Sequence, residues 1–392
     1  MSFFSKFFQS APCRIGTLTL SHSMVDLMSG LLPGVLPVAL VYFRMDLSTA
    51  VIILSCMGIG CNVMQIPVAQ LGKNSQSPRY IFLGLTMSSL ILTLGLLPRT
   101  TPVICLCLLM LLVGFGIAIT HPNGLRAAQN IPGMSPTVST PLFMTGGFFG
   151  ASVGPWLSGT LAEHFGLKGL LLLFPVFLLL LVFLYLGKFL LALDSSAKNK
   201  TDSAEKQVSL WSFNSLFAIA LVMNTGSATL QNLLPTLLHE QGYSLQIGGL
   251  HAMVFGFGSA AGSVLLGFLV KKYKPQWFLA GGLLTGTLAM IAYMYLLPSA
   301  SLILILLAGF LATSGYPILV ALSRQAPGKY GISARMGLIV GGTWGGAGVA
   351  FLGIGQLAAK FGLKPIMNTV WICYLAALVI LLLTMRRKQK NI

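Results

Sequence analysis

Long apolar stretches separated by short polar segments make up most of this chain. The apolar stretches are each about 20 residues long, which is the length an α-helix needs to cross a bilayer, and about twelve of them follow one another. Only 8% of the 392 residues are charged, 55% are hydrophobic, and the mean hydropathy is +0.86. A soluble domain of this size could not cover its surface with so few charges. The pattern therefore predicts an all-α membrane protein with twelve transmembrane helices.

The positive charges are distributed unevenly between the two sides of the predicted membrane. With a cytoplasmic N-terminus, most of the 24 Lys and Arg residues fall in cytoplasmic segments. The outer segments hold only Arg44, Arg99, Lys168, Lys360 and Lys364. This asymmetry follows the positive-inside rule, so both termini are predicted to be cytoplasmic in a cell inner (plasma) membrane. The net charge of +17 then reflects topology and does not indicate a nucleic-acid partner.

The second half of the chain repeats features of the first half about 195 residues later. The repeated features are His121-Pro122 with Tyr316-Pro317, Gly146-Gly147 with Gly341-Gly342, the sequence FGLK at 165–168 and 361–364, and Pro37 with Pro235. The last match aligns Asp26 with Asn224. Parallel repeats of six helices are typical of one class of secondary transporter. We predict two pseudo-symmetric six-helix bundles, residues 1–193 and 209–392, joined by a polar cytoplasmic linker, 194–208.

Asp26 is the only acidic residue placed deep inside a predicted helix. His22 lies four residues earlier and so shares its helix face, and His121 lies in another apolar segment just before Pro122. Ionisable groups at bilayer depth are costly and are often used for proton relays. We predict that Asp26, His22 and His121 carry a coupling proton. The alternatives are a structural ion pair of Asp26 with His22 or Arg126, and a His121 that only satisfies local backbone.

Further polar residues lie within predicted helices and are candidates for binding a substrate. They are Asn123, Arg126, Asn224, Gln231, Asn232, His251, Tyr316 and Arg324. Structural hydrogen bonds between helices are the alternative for most of them, and Arg324 could extend to the membrane surface. The sequence contains no nucleotide-binding loop, metal-ligand spacing or nucleophile triad. Neither a cofactor, a metal nor an enzymatic activity is therefore expected.

Four segments carry a resemblance to a known family. They are SHSMVD at 21–26, THPNGLRAAQ at 120–129, GGFFGASVGP at 146–155 and APGKYG at 326–331. They resemble motifs of the fosmidomycin-resistance branch of the major facilitator superfamily. The resemblance implies a twelve-helix inner-membrane carrier, usually a proton-driven exporter of drugs or small molecules. Two positions depart from it, because Asn123 replaces an expected acid and the inner loop GKNSQSPRY contains no acid.

These observations predict a secondary active transporter that works by alternating access. Proton-coupled efflux of a drug-like or polar metabolite is the expected activity. An importer or uniporter of a small solute, such as a metal chelate or siderophore, is the alternative, and a non-transporting receptor or scaffold is a third class. The expected partners are a small-molecule substrate, protons and the lipid bilayer, and the protein is expected to be a monomer.

Overall fold

The computed structural model describes residues 10–71, 79–186, 211–269, 275–296, 301–327 and 330–389. Within these ranges the chain is helical and contains no β-strand. The predicted linker 194–208 lies outside the described residues. The prediction of an all-α protein is therefore confirmed for the part of the chain that the structure describes.

The helices are labelled in chain order. They are α1 Ala11–Tyr42, α2 Leu47–Leu71, α3 Arg79–Ser88 with the 3-10 turn Ser89–Gly95, α4 Val103–Gln129, α5 Pro136–Phe165, α6 Phe174–Leu186, α7 Phe213–Glu240, α8 Leu245–Leu269 and α9 Pro275–Tyr295. Helix α10 comprises Ser301–Ala308, π-helical Gly309–Thr313 and Tyr316–Gln325. Helix α11 comprises Ile332–Gly337, π-helical Leu338–Gly342 and Thr343–Phe361, and α12 is Trp371–Gln389.

Ten stretches of the described residues are long and apolar enough to cross a membrane. One of them, Val138–Tyr185, is 48 residues long because the 3-10 turn Gly166–Leu173, in which Lys168 is the charged residue, joins α5 to α6. Another apolar segment, Arg79–Gly95, is shorter. The multi-pass membrane character is confirmed, whereas the number of twelve spans stays a prediction.

Helices α1 and α5 pack with their backbones in contact, and this packing positions the functional site. A Cβ atom built at Gly154 would lie 2.6 Å from the Cα atom of Gly30. One turn earlier on α5, Gly150 lies against the backbone of Ser23. Small residues at helical spacing allow such close approach between membrane helices. The polar side chains of α1 are consequently held directly against α5.

The first six helices contact the last six mainly through two helix pairs, α5 with α8 and α2 with α11. In the first pair, Gly249 lies against the backbone of Pro155, and in the second pair Gly355 lies against Val51. Two hydrogen bonds also cross between the halves, from Leu245 N to Glu163 Oε2 (2.6 Å) and from Ser48 Oγ to Gln356 Oε1 (2.7 Å). Both bonds lie at the end of the molecule where α1 finishes and α2 begins, which we call the distal end.

Candidate functional site

The site is built on α1, where an acidic and a basic side chain lie one helical turn apart. His22 Nε2 lies 3.3 Å from Asp26 Oδ2. Helix α1 begins at Ala11, capped by the Ser10 hydroxyl, so both residues lie well inside the helix. The sequence spacing of four residues therefore produces the predicted contact.

Helix α4 brings a second histidine to the same carboxylate. His121 Nε2 lies 2.8 Å from Asp26 Oδ1, so each carboxylate oxygen faces one imidazole. The other ring nitrogen of His121, Nδ1, lies 3.2 Å from the Gln65 amide nitrogen on α2. The structure thus joins all three residues predicted to carry a proton, and Gln65 orients the third. We call His22, Asp26 and His121 the triad.

Helix α5 packs against the triad through Phe143 and Gly147. The Phe143 carbonyl oxygen lies 2.8 Å from His22 Nδ1, and the Phe143 ring stacks on the His22 ring at 4.1 Å between centroids. A Cβ atom at Gly147 would lie 2.5 Å from Asp26 Oδ2 and 2.6 Å from His22 Nε2. Glycine at position 147 is therefore the residue that leaves room for the carboxylate and the imidazole.

The hydrogen-bond partners determine how many protons the His22–Asp26 pair holds. A carbonyl oxygen can only accept, so His22 Nδ1 must carry a hydrogen toward Phe143. Either Nε2 carries a second hydrogen toward an ionised Asp26, or Asp26 is protonated and donates to Nε2. Without that hydrogen, two lone pairs would face each other at 3.3 Å. In both arrangements His22 and Asp26 together hold one proton more than a neutral imidazole and an ionised carboxylate would hold.

The three residues of the triad differ in how far they are exposed. His22 is buried, with 4% of its surface exposed, whereas the side chains of Asp26 and His121 are 16% and 22% exposed. A proton can therefore reach the carboxylate or His121 more directly than it can reach His22.

The triad is also the group of described residues whose ligand atoms could converge on a metal ion. One ligand atom from each of the three residues lies within 4.8 Å of the others. The sequence spacing did not indicate this convergence, because α4 joins α1 only through tertiary packing. Each carboxylate oxygen of Asp26 faces the Nε2 atom of one histidine. A proton between the two atoms of a pair is therefore sufficient to make their contact attractive.

A second polar cluster lies in the C-terminal half at positions that the repeat relates to the triad. Asn224 Nδ2 donates to Thr343 Oγ1 at 2.9 Å, and the Tyr316 hydroxyl donates to the Ile339 carbonyl at 3.1 Å. The side chains of Thr343 and Asn224 also lie within hydrogen-bonding reach of the Tyr316 hydroxyl. The repeat aligns Asn224 with Asp26 and Tyr316 with His121. This cluster contains no carboxylate or imidazole, so it is neutral where the triad is titratable.

The remaining predicted binding residues are dispersed. The amides of Asn123 and Asn232 donate to backbone carbonyls of their own helices, those of Ile119 and Ala228. Gln231 is half-buried on α7. The buried His251 pairs with the Tyr293 hydroxyl at 2.9 Å in the α8–α9 contact. These four residues do not join either cluster.

The two predicted arginines lie on α4 and α10. The carboxylate of Asp26 contacts the two histidines, and Arg126 is half-buried on α4. Arg126 follows His121 by five residues, which is roughly 140° around a helix, so the two side chains leave α4 in different directions. Arg324 is exposed at the end of α10, and its carbonyl accepts a hydrogen bond from Arg335.

Sequence reasoning missed several groups that complete these sites. Phe143 contributes a backbone carbonyl, and buried Arg335 caps the end of α10 through the carbonyls of Arg324 and Ala326. No sequence signal marks either role. Thr343 could have been found, because it directly follows the repeated Gly341-Gly342 pair.

Comparisons with known proteins agree with this architecture. The model of the Major Facilitator Superfamily matches residues 18–331. The fosmidomycin resistance protein of Escherichia coli (strain K12) is 26% identical over 364 residues, covering 87% of this chain and 85% of that protein. An MFS-type transporter of Bacillus subtilis (strain 168), YfnC, is 24% identical over 381 residues, covering 94% and 91%.

Among solved structures, a bacterial homolog of the human lysosomal transporter Spinster, inward-facing and unoccupied, has the same fold. The TM-score is 0.74 at 17% sequence identity, covering 100% of this chain and 99% of that chain. A multi-pass helical protein with this fold and family match is a membrane transporter and not an enzyme. The chain belongs to the Major Facilitator Superfamily.

Proposed function

We propose that this protein is a proton-coupled secondary transporter that exports a small polar or drug-like molecule across the inner membrane. It crosses the membrane twelve times, as two six-helix bundles of residues 1–193 and 209–392 joined by the linker 194–208. Both termini are cytoplasmic, and the protein acts as a monomer. The single observation that carries the coupling is the triad, in which two imidazoles share one carboxylate.

The triad supports proton coupling because its contacts differ between protonation states. Loss of the proton between His22 Nε2 and Asp26 Oδ2 turns an attractive contact into a repulsive one. The His22 ring cannot relieve the repulsion by exchanging tautomers without giving up its bond to the Phe143 carbonyl. Deprotonation therefore favours a different arrangement of α1 against α5, which is the kind of two-state element that coupled transport requires.

The neutral cluster supports a substrate role for the C-terminal half. Hydroxyl and amide groups at Asn224, Tyr316 and Thr343 bind through hydrogen bonds without adding a carboxylate or an imidazole. Gln231 and Asn232 on α7, together with Arg126 on α4, extend this proposed polar lining. Asn123, His251 and Arg324 are not needed for it. Asn123 is buried and bonds within α4, the buried His251 bonds to Tyr293 of α9, and Arg324 is exposed at a helix end.

The proposed direction is export, and it is supported by the similarity to the Escherichia coli fosmidomycin resistance protein. Import is the second candidate, favoured by Asn123 at the position where the resembling family carries an acid. The structure supplies another acid, Asp26, at the contact between α1 and α4. We therefore favour proton-driven export.

The test uses purified protein in liposomes that enclose a pH-sensitive dye. Fosmidomycin is the first probe, followed by a panel of small polar metabolites. The wild-type protein is expected to move protons when a transported probe is added, in the direction opposite to the probe. Asp26→Asn should reduce this proton movement at least tenfold, because the variant removes the only carboxylate of the triad.

The matched control is Glu240→Gln, which makes the same chemical change at the exposed end of α7. It should leave proton movement unchanged. If the wild-type protein transports the probe and no proton movement accompanies this transport, the proposed coupling is wrong. Proton movement in the same direction as the probe would identify an importer.

A further inference from the structure

Glu163 occupies a position that its own helix disfavours. It lies two residues before the end of α5, and its side chain is exposed. The C-terminal end of a helix carries partial negative charge, so a carboxylate there is repelled by the helix dipole. An acid that persists at such a place requires a favourable partner elsewhere.

The partner of Glu163 is the start of a helix in the other half of the chain. Its Oε2 atom accepts a 2.6 Å hydrogen bond from the backbone N–H of Leu245, the first residue of α8. The first N–H groups of a helix have no partner within the helix, and the dipole there favours negative charge. The Ser244 hydroxyl accepts from Ile247 N, so Glu163 adds to a cap that α8 partly makes for itself.

The related contact between α11 and α2 is neutral. There Gln356 accepts from the Ser48 hydroxyl, and the start of α2 is capped by Asp46 of its own half. A charged bond thus crosses between the halves at the α5–α8 contact, and an uncharged bond crosses at the α2–α11 contact. Of the two bonds, the charged one is expected to be the stronger.

We propose that Glu163 is a positioning residue that holds the distal end closed, and that its negative charge sets the fraction of molecules open there. The proposal rests on alternating access in the proposed function, and it does not depend on proton coupling. Opening the distal end must separate α5 from α8, and this separation removes the carboxylate from the α8 terminus. Neutralising Glu163 therefore favours the open state.

The experiment measures how readily a cysteine inside the α5–α8 contact is labelled. Ser152 is buried on α5 against Gly256 of α8 and is replaced in the variant Ser152→Cys. The six native cysteines are first replaced by alanine, so that this thiol alone reacts. A membrane-impermeant maleimide is added to intact cells and, separately, to inverted vesicles.

Glu163→Gln keeps an acceptor oxygen and removes the charge. It should raise the labelling rate from the distal side roughly three- to tenfold, as expected for loss of a charge-assisted bond at a helix terminus. The matched control Glu240→Gln lies at the same end of the molecule and should leave the rate unchanged. An unchanged rate in Glu163→Gln would show that the carboxylate charge does not hold the gate.

A second measurement tests the same opening without the cysteine at position 152. Cysteines at positions 48 and 356, introduced as Ser48→Cys and Gln356→Cys, should be joined by a short bifunctional thiol cross-linker when the distal end is closed, because the side chains they replace are in contact. Adding Glu163→Gln should reduce the yield of this cross-link, and an undiminished yield would contradict the proposal. Because neither measurement uses a substrate or a pH gradient, failure of the proposed coupling would leave both results intact.

Discussion

The two ring nitrogens of His22 have separate partners, and two substitutions distinguish them. The amide nitrogen of asparagine can take the place of Nδ1, and that of glutamine the place of Nε2. His22→Asn should keep the hydrogen bond to Phe143, whereas His22→Gln should leave that buried carbonyl without a donor. We expect His22→Gln to be about 1–3 kcal/mol less stable than His22→Asn, the usual cost of a buried unsatisfied group.

Thermal unfolding in detergent measures this difference, and dye-loaded liposomes measure proton movement in the same samples. Both variants should lose proton movement, since neither side chain can exchange a proton near neutral pH. Equal stability of the two variants would mean that the Phe143 bond does not fix the His22 ring.

Gly147 is the residue at which the smallest possible addition should disturb the triad. Gly147→Ala places a methyl group where Asp26 Oδ2 and His22 Nε2 now lie. We expect loss of proton movement and a loss of about 1–3 kcal/mol in stability, the usual cost of overpacking. Gly348→Ala is the control, because a Cβ at that position meets no atom within 4 Å. Normal proton movement in Gly147→Ala would show that α1 and α5 can separate without affecting the triad.

At the scale of elements, the start of α2 depends on a single cap outside the membrane-spanning segments. The hydroxyl and backbone N–H of Thr49 donate to Asp46 and hold the pKa of its carboxyl below the ordinary value. A carboxyl with a lowered pKa stabilises the folded state above its unfolded pKa, near 4, and this contribution is lost as the pH falls. The start of α2 should therefore loosen under acid conditions.

Asp46→Ala should reduce the free energy of unfolding by about 1 kcal/mol at neutral pH, as for other helix N-caps. Asp46→Asn should retain most of the capping hydrogen bonds. Its stability should also lack the decrease at low pH that Asp46 causes in the wild-type protein. Unfolding measured between pH 3 and pH 7 tests both expectations. If Asp46→Asn loses as much stability at low pH as the wild-type protein does, other carboxyl groups cause the loss.

Helix boundaries and helix interiors differ in how far the sequence predicts them. Apolar length located the helices, and Ser10 with Pro12 explains why α1 begins at Ala11. The π-helical segment Leu338–Gly342 of α11 could not be predicted from apolar length. Matching positions of the two halves are 195 residues apart at Gly146 and Gly341 but 196 residues apart at Phe165 and Phe361. One extra residue in α11 relative to α5 is accommodated by this wider turn.

The site was predictable where it depends on spacing within one helix, and less so where it depends on packing between helices. The spacing of His22 and Asp26 places them together in any helix, which the structure confirms. Every helical residue offers a similar carbonyl, so only the packing of α5 selects that of Phe143. The same reason explains why the sequence left His22 and Arg126 open as partners of Asp26, whereas the structure shows both His22 and His121 at its carboxylate.

At the scale of the whole molecule, the two halves place different chemistry at matching positions. Asn224 lies where the repeat places Asp26, and it is 2% exposed with Thr343 as its partner. The position matching His22 is Ala220, so a carboxylate at 224 would have no imidazole one turn earlier on its helix. Asn224→Asp should therefore lower stability by about 2 kcal/mol or more, because a buried charge needs a partner.

The control for this prediction is Asn232→Asp, two turns further along α7 and half-buried. Its carboxylate keeps contact with solvent, so its loss of stability should be clearly smaller. Thermal unfolding of both variants at neutral pH makes the comparison. Similar losses in the two variants would indicate that position 224 is hydrated and not part of a dry cluster.

Helix α5 touches both the proton site and the distal contact between the halves. Gly147 lies against the triad and Glu163 against α8, about 24 Å further along the helix at roughly 1.5 Å per residue. A small tilt of this one helix about the triad would be magnified into a larger displacement at Glu163. The helix can thus work as a lever, with the triad at its pivot, and no chain of intermediate side chains is needed to carry the signal.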